Sequence, residues 1–168
     1  SCNNKLNTSY TLETLTWDTV ANIHPFSPEV TNFGYKSLIK HTGKYLKDIT
    51  GFNHYSFQPN SGAMGEYTGL LCIKKYHEVN KTGRNICLIP KSAHGTNFAS
   101  AALVNMKIVG FDDSEFENFS EFVQHYKDTL ACLMITIPNT SGMYQDNIED
   151  ITRVIHDNGG LVYMDGAN

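Results

Sequence analysis

The sequence predicts an α/β fold in which a mostly parallel sheet is flanked by helices. From residue 55 onward, short apolar segments alternate with segments whose apolar residues recur at helical spacing. The apolar segments are four to seven residues long and each is followed by Pro or Asp, which is typical of strands. Strands that alternate with helices at this spacing form βαβ units, and the strands of such units are parallel.

Five strands and five helices follow from these patterns. The strands are expected at residues 55–58, 85–89, 107–111, 131–137 and 161–164. The helices are expected at residues 36–46, 63–78, 97–106, 119–126 and 148–155. Two of the strands end at Pro90 and Pro138, because proline has no N–H group with which to continue a ladder.

Polar residues beside the predicted helices indicate where the helices begin and end. Thr96 is the expected N-cap of the helix at 97–106, and Gly159 is expected to end the helix at 148–155. Capping-box spacing occurs twice, at Asn118 with Glu121 and at Asp146 with Glu149. Both pairs are therefore expected to cap the helices that follow them.

Composition sets the class of protein and its organisation. The chain has 168 residues, 40% of them hydrophobic, and a formal net charge of −4, which is ordinary for a globular protein with a core. The charge does not predict a nucleic-acid partner, and no apolar run approaches the about 20 residues that a membrane-spanning helix needs. Residues 55–168 are expected to form one domain, preceded by an N-terminal segment at 1–54.

The cysteines predict neither a metal site nor a redox pair. None of the four has a partner at CxxC spacing. Cys72, Cys87 and Cys132 each lie within an apolar run, so we expect them to be buried and reduced. Free thiols of this kind are typical of a reducing compartment.

Four loops are predicted at one edge of the sheet, where chemically useful residues are concentrated. In parallel sheets, ligands bind outside the carboxyl ends of the strands. The loops that reach this edge are residues 59–62, 90–97, 138–145 and 165–168. Their convergence predicts a ligand site there.

The loops at 59–62 and 90–97 each allow a functional and a plain interpretation. Ser61 and Gly62 open a helix, so they form either an anion site or an ordinary capping turn. His94 lies beside a helix start among hydroxyl and amide side chains. It is either a ring-stacking, hydrogen-bonding or acid–base residue, or a histidine that faces solvent in a capping loop.

The other two loops are equally open. Asp165 follows an apolar strand, where a buried carboxylate needs a positive partner such as a protonated pyridine nitrogen, or a metal or ribose hydroxyl. It is otherwise a strand-terminal residue that opens a turn. The hydroxyl-rich segment at 136–142 either lines a polar pocket or forms a simple turn.

Four longer motifs carry a family resemblance. QPNSGAMGEYTGL (58–70), IPKSAHGTNFASA (89–101), ITIPNTSGMY (135–144) and GGLVYMDGAN (159–168) resemble, in the same order, the glycine-cleavage P-protein family. SCNNKLN and ANIHPF, nearer the start, resemble the beginning of that family's C-terminal catalytic half. The resemblance implies the large domain of a fold-type I, aminotransferase-like enzyme that depends on pyridoxal 5'-phosphate (PLP).

The resemblance also implies roles for individual residues. His94 would stack on the cofactor ring and Asp165 would pair with the pyridine nitrogen, which makes these two the candidate catalytic residues. The phosphate would be bound by Ser61, Gly62 and Ala63. Further cofactor contacts are implied for Thr96 and Ala167, and substrate-pocket positions for Asn97, Thr140 and Asn168.

The activity implied by the resemblance is that of glycine dehydrogenase (decarboxylating). Glycine would lose its carboxylate, and the aminomethyl group would pass to the lipoyl arm of the H-protein. The parent protein is expected to be a homodimer or a pair of subunits, mitochondrial in a eukaryote and cytoplasmic in a bacterium. The alternatives are an inactive relative that acts as a partner subunit and a doubly wound nucleotide-binding module.

The Schiff-base lysine of the resembled family has no match in this chain. The resemblance places that lysine after a further strand beyond Asn168. The chain is therefore expected to be part of the catalytic half and to be inactive by itself.

Overall fold

The computed structural model describes residues 9–167, which divide into two compact units at residues 58 and 59. The first unit contains three helices: α1 (Ser9–Thr14), α2 (Asp18–Ala21) and α3 (Phe33–Thr50). The helix predicted at 36–46 is confirmed as the central part of α3. Gly51 ends α3 at φ 74°, a left-handed conformation that glycine adopts without steric cost.

The second unit is a parallel α/β domain. Its elements are α4 (Gly62–Val79), β1 (Ile86–Pro90), α5 (Gly95–Leu103), β2 (Lys107–Phe111), a 3₁₀ helix (Asp113–Asn118), α6 (Phe119–Gln124), β3 (Leu130–Thr136), α7 (Ile148–Asp157) and β4 (Leu161–Asp165). The strands form one sheet in the order β2–β1–β3–β4, and every pairing is parallel. The predicted fold class is confirmed.

The strand predicted at residues 55–58 is wrong. These residues have no regular secondary structure. The ring of Tyr55 packs against Gly43 of α3, and its centroid lies 5.2 Å from that of Phe57. The apolar residues of this segment therefore pack as aromatic rings, without a neighbouring strand to pair with.

Three capping predictions are also corrected. His94, and not Thr96, is the N-cap of α5, and its Nδ1 lies 3.3 Å from the Thr96 N–H group. Asn118 and Asn147 precede α6 and α7 without a side-chain capping bond, so neither predicted capping box forms. The 3₁₀ helix leads directly into α6, which leaves Asn118 without the extended conformation of a usual N-cap.

Both faces of the sheet are covered by helices. α4 and α5 pack on one face against Cys87, Cys132 and other buried residues. α6 and α7 pack on the opposite face against Leu88, Leu133 and their neighbours. All seven residues of β3 are buried, because β3 lies between two strands and between two helical layers.

Two of the three cysteine predictions are confirmed. Cys87 and Cys132 are buried on neighbouring strands, whereas Cys72 is exposed on α4. The buried side of α4 carries Leu70 and Ile73, and Cys72 lies about 100° around the helix from Ile73. The apolar run around Cys72 thus extends onto the outer face of the helix.

The direction of α4 relative to the strands places its N-terminus at the carboxyl edge of the sheet. Near its start, Glu66 bonds to Thr96, which follows the carboxyl end of β1. Near its end, His77 bonds through Nε2 to the carbonyl of Ala131, close to the start of β3. α4 therefore runs antiparallel to the strands.

None of the helices in residues 9–167 is both long enough and apolar enough to cross a lipid bilayer.

Candidate functional site

The candidate site lies where the loops after β1 and β3 separate at the carboxyl edge of the sheet. β2 lies on one side of β1 and β3 on the other, so the strand order reverses at β1. A reversal of this kind opens a crevice, which is where open α/β sheets bind ligands. The backbone N–H of His94, in the first loop, donates to Thr136 Oγ1 at the end of β3 (3.0 Å).

Thr136 connects three of the predicted site residues. Its side chain is 4% exposed, and besides the His94 N–H its oxygen accepts a hydrogen bond from Asn97 Nδ2 (3.2 Å). Its hydroxyl donates to Asp165 Oδ2 (3.4 Å). The sequence indicated a hydroxyl-rich segment here but did not single out Thr136, because its partners come from two other loops, 90–97 and 165–168.

Asp165 is a buried carboxylate without a cationic partner. It is 9% exposed, its Oδ1 accepts the backbone N–H of Ala167 (3.1 Å), and its Oδ2 faces Thr136. Within residues 9–167, no Lys or Arg side chain bonds to it. Two neutral donors compensate a buried charge only in part, so Asp165 has the chemistry to bind a positive group.

Asn97 supplies a second unsatisfied group. The residue is completely buried at the start of α5, and its Nδ2 is engaged by Thr136. Its Oδ1 has no hydrogen-bond partner in the described part of the chain. Buried acceptors in proteins are nearly always paired, so Oδ1 is an available acceptor for a ligand or water.

His94 belongs to a chain of hydrogen bonds that ends on α4. Its exposed imidazole places Nδ1 2.6 Å from Thr96 Oγ1, and that hydroxyl lies 2.7 Å from Glu66 Oε1. Ser100 Oγ donates to the other oxygen of Glu66 (2.6 Å). The structure thus brings His94 and Thr96 together, as the sequence predicted. It also adds Glu66, which the sequence analysis did not single out.

A signal for Glu66 was present in the sequence. Glu66, Leu70 and Ile73 are spaced i, i+4 and i+7, so Glu66 falls on the apolar side of α4. A carboxylate on such a stripe is expected to be buried, and Glu66 is 4% exposed. Burial of a charge without an evident partner marks a position worth testing for function.

The start of α4 presents free donors. Ser61 Oγ accepts the N–H of Met64 (3.2 Å), and the Ser61 carbonyl accepts that of Gly65 (3.0 Å). The N–H groups of Gly62 and Ala63 have no acceptor among residues 9–167. Ser61 therefore acts as the N-cap, while two donors at the positive end of the helix dipole stay available for an anion.

Tyr163 of β4 packs against α4 and feels the charges of both buried carboxylates, Asp165 and Glu66. Its ring packs against Gly69, where any side chain larger than hydrogen would collide with it. Burial, and then the negative charges of Asp165 and Glu66, raise the pKa of Tyr163 to about 12. The two carboxylates therefore produce a negative field at the Tyr163 hydroxyl.

Titration of the Tyr163 hydroxyl tests this field, with Tyr163→Phe as the reference protein that lacks the hydroxyl. In the whole protein, the difference in tyrosinate absorbance between wild type and Tyr163→Phe is expected to titrate near pH 12, and Glu66→Gln is expected to move that midpoint toward 10. Since the unfolded phenol ionises near pH 10, Tyr163 contributes stability below pH 10 that is lost by about pH 12. A midpoint near 10 in the wild type would contradict the assigned field.

Two substrate-pocket predictions remain, Thr140 and Asn168. Thr140 donates from both its N–H and its hydroxyl to the carbonyl of Ser92 (3.2 and 3.0 Å), so it ties the loop after β3 to the loop after β1. It has no hydrogen bond to His94 or Asp165 in the described structure. Asn168 lies outside the described residues.

Comparison with known proteins identifies relatives along the whole chain. No family model matches the sequence. Glycine dehydrogenases (decarboxylating) from Deinococcus radiodurans and Bdellovibrio bacteriovorus are 47% and 49% identical to it, each over 100% of this chain. The mitochondrial enzyme of Solanum tuberosum is 48% identical, also over 100% of the chain. The chain spans 17–18% of the length of these relatives.

Two solved structures share the fold. A glycine decarboxylase (P-protein) of the glycine cleavage system, in inhibitor-bound form, matches with a TM-score of 0.68 and 14% identity, over 94% of this chain and 35% of that one. A serine palmitoyltransferase from S. paucimobilis with bound PLP–myriocin matches with a TM-score of 0.53 and 15% identity, over 73% and 29%.

The parallel sheet and its helical layers define an α/β domain with the fold of these two solved structures. Sequence identity over the full chain identifies the family, and the predicted family is confirmed. The chain belongs to the glycine dehydrogenase (decarboxylating) family and corresponds to a segment of its members.

Proposed function

We propose that this chain supplies PLP-binding residues to a glycine dehydrogenase (decarboxylating). The observation that carries the proposal is Asp165, a 9% exposed carboxylate at a strand end with no cationic partner in the described residues. A protonated pyridine nitrogen is a flat, buried cation of the kind that such a carboxylate stabilises.

The residues present fit the chemistry of PLP. The cofactor combines a phosphate dianion with a ring nitrogen that is positive when protonated. The start of α4 has free N–H groups at Gly62 and Ala63, and Asp165 supplies the opposite charge. The unpaired Oδ1 of Asn97 adds an acceptor beside these groups, because Asn97 and Asp165 share Thr136 as a partner.

Six of the seven predicted cofactor residues would contact PLP directly. Ser61, Gly62 and Ala63 would hold the phosphate, and His94 would lie on the cofactor ring with Ala167 beneath it. Asp165 would keep the proton on the ring nitrogen, and Thr136 would fix the position of Asp165 Oδ2. When bound, PLP supplies an electron sink for the electron pair released as an amino acid loses its carboxylate.

The substrate and partners follow from the family. We propose glycine as the substrate and the lipoyl arm of the H-protein as the acceptor of the aminomethyl group, within a homodimer or a pair of subunits. We also propose a mitochondrial location in a eukaryote and a cytoplasmic one in a bacterium. The named relatives include both bacterial and plant mitochondrial enzymes, which agrees with this division.

Titration of the whole protein with PLP tests the proposal. Binding is measured by isothermal titration calorimetry, and glycine decarboxylation by release of labelled CO₂ in the presence of lipoylated H-protein. We expect saturable PLP binding and glycine-dependent CO₂ release. Stabilisation by a nucleotide with no effect of PLP would contradict the proposal and favour a nucleotide-binding module.

Substitutions of Ser61 separate phosphate binding from helix capping. Ser61→Asp keeps a good N-cap but places a negative charge beside the phosphate, so PLP affinity is expected to fall at least about tenfold, or about 1.4 kcal/mol. Ser61→Ala removes the cap, at a cost of about 1 kcal/mol in the free energy of unfolding. PLP affinity is measured by calorimetry and stability by urea denaturation.

Pyridoxal, which lacks the phosphate, is the matched control ligand. Its affinity is expected to be the same in wild type and Ser61→Asp. Equal loss of affinity for PLP and pyridoxal would show that Ser61 does not act on the phosphate.

A further inference from the structure

Glu66 is a buried carboxylate that the proposed cofactor chemistry does not use. Its two oxygens accept hydrogen bonds from Thr96 Oγ1 (2.7 Å) and Ser100 Oγ (2.6 Å). In the described part of the chain it forms no salt bridge. Burial of a carboxylate with only two neutral donors costs free energy that an apolar residue at this position would not cost. The arrangement therefore calls for an explanation beyond packing.

The hydroxyl of Thr96 links Glu66 to His94. Thr96 Oγ1 lies 2.6 Å from His94 Nδ1 and 2.7 Å from Glu66 Oε1, so it takes part in two short hydrogen bonds. A hydroxyl has one proton to donate. It must therefore donate to one of the two partners and accept from the other.

The charge of Glu66 decides the direction of this chain. An ionised carboxylate only accepts, so the Thr96 proton goes to Glu66. The Thr96 oxygen then accepts from His94, which requires the proton of the neutral imidazole to sit on Nδ1. The backbone N–H of Thr96 competes for the same nitrogen from 3.3 Å and would require Nδ1 to accept, but that contact is longer.

We propose that Glu66 is a positioning residue that, through the Thr96 hydroxyl, holds the imidazole of His94 in the Nδ1–H tautomer. In that tautomer Nε2 is a bare acceptor on an exposed side chain, and it has no hydrogen-bond partner among residues 9–167. The hydrogen bond also fixes the rotation of the ring. Nε2 then suits a ligand group that donates a proton, such as an ammonium group.

This inference deepens the proposed function and rests on it only for the ligand that Nε2 meets. If His94 lies on the cofactor ring, its Nε2 is available to a donor on the substrate, and the ammonium group of glycine has that chemistry. The state of the imidazole itself depends on Glu66 and Thr96 alone. It can therefore be measured in the protein without PLP.

Nitrogen-15 NMR of histidine side chains in the whole protein tests the proposal. The His94 signals are assigned by their loss in His94→Asn. In the wild type, we expect a protonated Nδ1 and an unprotonated Nε2. In Glu66→Gln, the amide oxygen can keep the hydrogen bond from Ser100, which turns the amide N–H toward Thr96; Thr96 then donates to Nδ1, and the ring proton is expected on Nε2. The opposite amide orientation keeps Nδ1–H, in which case Thr96→Val decides.

Three further variants locate the effect in the Thr96 hydroxyl. Thr96→Val removes the hydroxyl at constant volume, leaves Nδ1 to the backbone N–H, and is expected to give the Nε2–H tautomer as well. Thr96→Ser keeps the hydroxyl and should keep Nδ1–H. Ser100→Ala removes the other hydrogen bond to Glu66 and keeps the hydrogen bonds of the Thr96 hydroxyl, so it too should keep Nδ1–H.

The outcomes separate this inference from the proposed function. Retention of Nδ1–H in both Glu66→Gln and Thr96→Val overturns the inference, and Thr96→Val decides alone if Glu66→Gln does not fold. A wild type that fails to bind PLP yet shows the expected tautomers contradicts only the proposed function. A wild type that binds PLP but shows unchanged tautomers in the variants contradicts only the inference.

Discussion

Asp165→Asn is expected to lower kcat/KM for glycine decarboxylation by at least about 100-fold, which corresponds to about 2.7 kcal/mol of transition-state stabilisation. Asparagine keeps the shape of the side chain and its bond from the Ala167 N–H. It lacks the negative charge that favours a proton on the pyridine nitrogen, and hydrogen bonds between charged groups are worth about 1.5–3 kcal/mol. The measurement is CO₂ release by the whole protein saturated with PLP.

Asp112→Asn is the matched control for this substitution. Asp112 lies just after β2, and its exposed carboxylate pairs with Lys91 (2.8 Å). Exposed pairs of this kind contribute at most about 1 kcal/mol to stability, so the activity should stay within about twofold of wild type. Equal activity losses in the two variants, or full activity in Asp165→Asn, would show that Asp165 does not have the proposed role.

Thr136→Val is expected to lower the free energy of unfolding by about 2–4 kcal/mol, because it leaves one buried and one part-buried donor unsatisfied, and a fully buried donor costs about 1–3 kcal/mol. The donors are the backbone N–H of His94 and Nδ2 of Asn97, both of which bond to Thr136 Oγ1. Valine fills the same volume, so the loss would come from hydrogen bonding and not from a cavity. Urea denaturation of the whole protein measures the change.

Activity and a conservative variant complete the test of Thr136. Thr136→Val also removes the donor to Asp165 Oδ2, so its decarboxylation rate should fall together with its stability. Thr136→Ser keeps the hydroxyl and is expected to recover most of both. A valine variant as stable and as active as wild type would show that Thr136 does not organise the site.

Much of the fold was predictable because its signals are local. The strand at 107–111 was predicted with the bounds of β2, and the alternation of strands and helices gave the parallel sheet. The strand predicted at 55–58 failed because strand formation depends on a partner, which the local pattern does not specify. Its aromatic residues pack on Gly43 and on each other instead.

The position of the candidate site was predictable from the sequence, but the hydrogen bonds within the site were not. The rule that ligands bind at the carboxyl ends of parallel strands placed His94, Thr96 and Asp165 at one edge. Thr136 and Glu66 were not singled out, because their roles come from contacts across 29 to 42 positions of sequence. Such contacts depend on how the loops and α4 meet, which sequence spacing alone does not specify.

We propose that Asp165 holds a protonated pyridine nitrogen at this edge of the sheet. Nitrogen-15 NMR of the whole protein loaded with ring-labelled PLP measures that proton directly. We expect a protonated nitrogen in the wild type and an unprotonated one in Asp165→Asn. Both proteins are compared at pH values at which both bind PLP. An unprotonated nitrogen in the wild type, or the same protonation state in both proteins, would contradict the account.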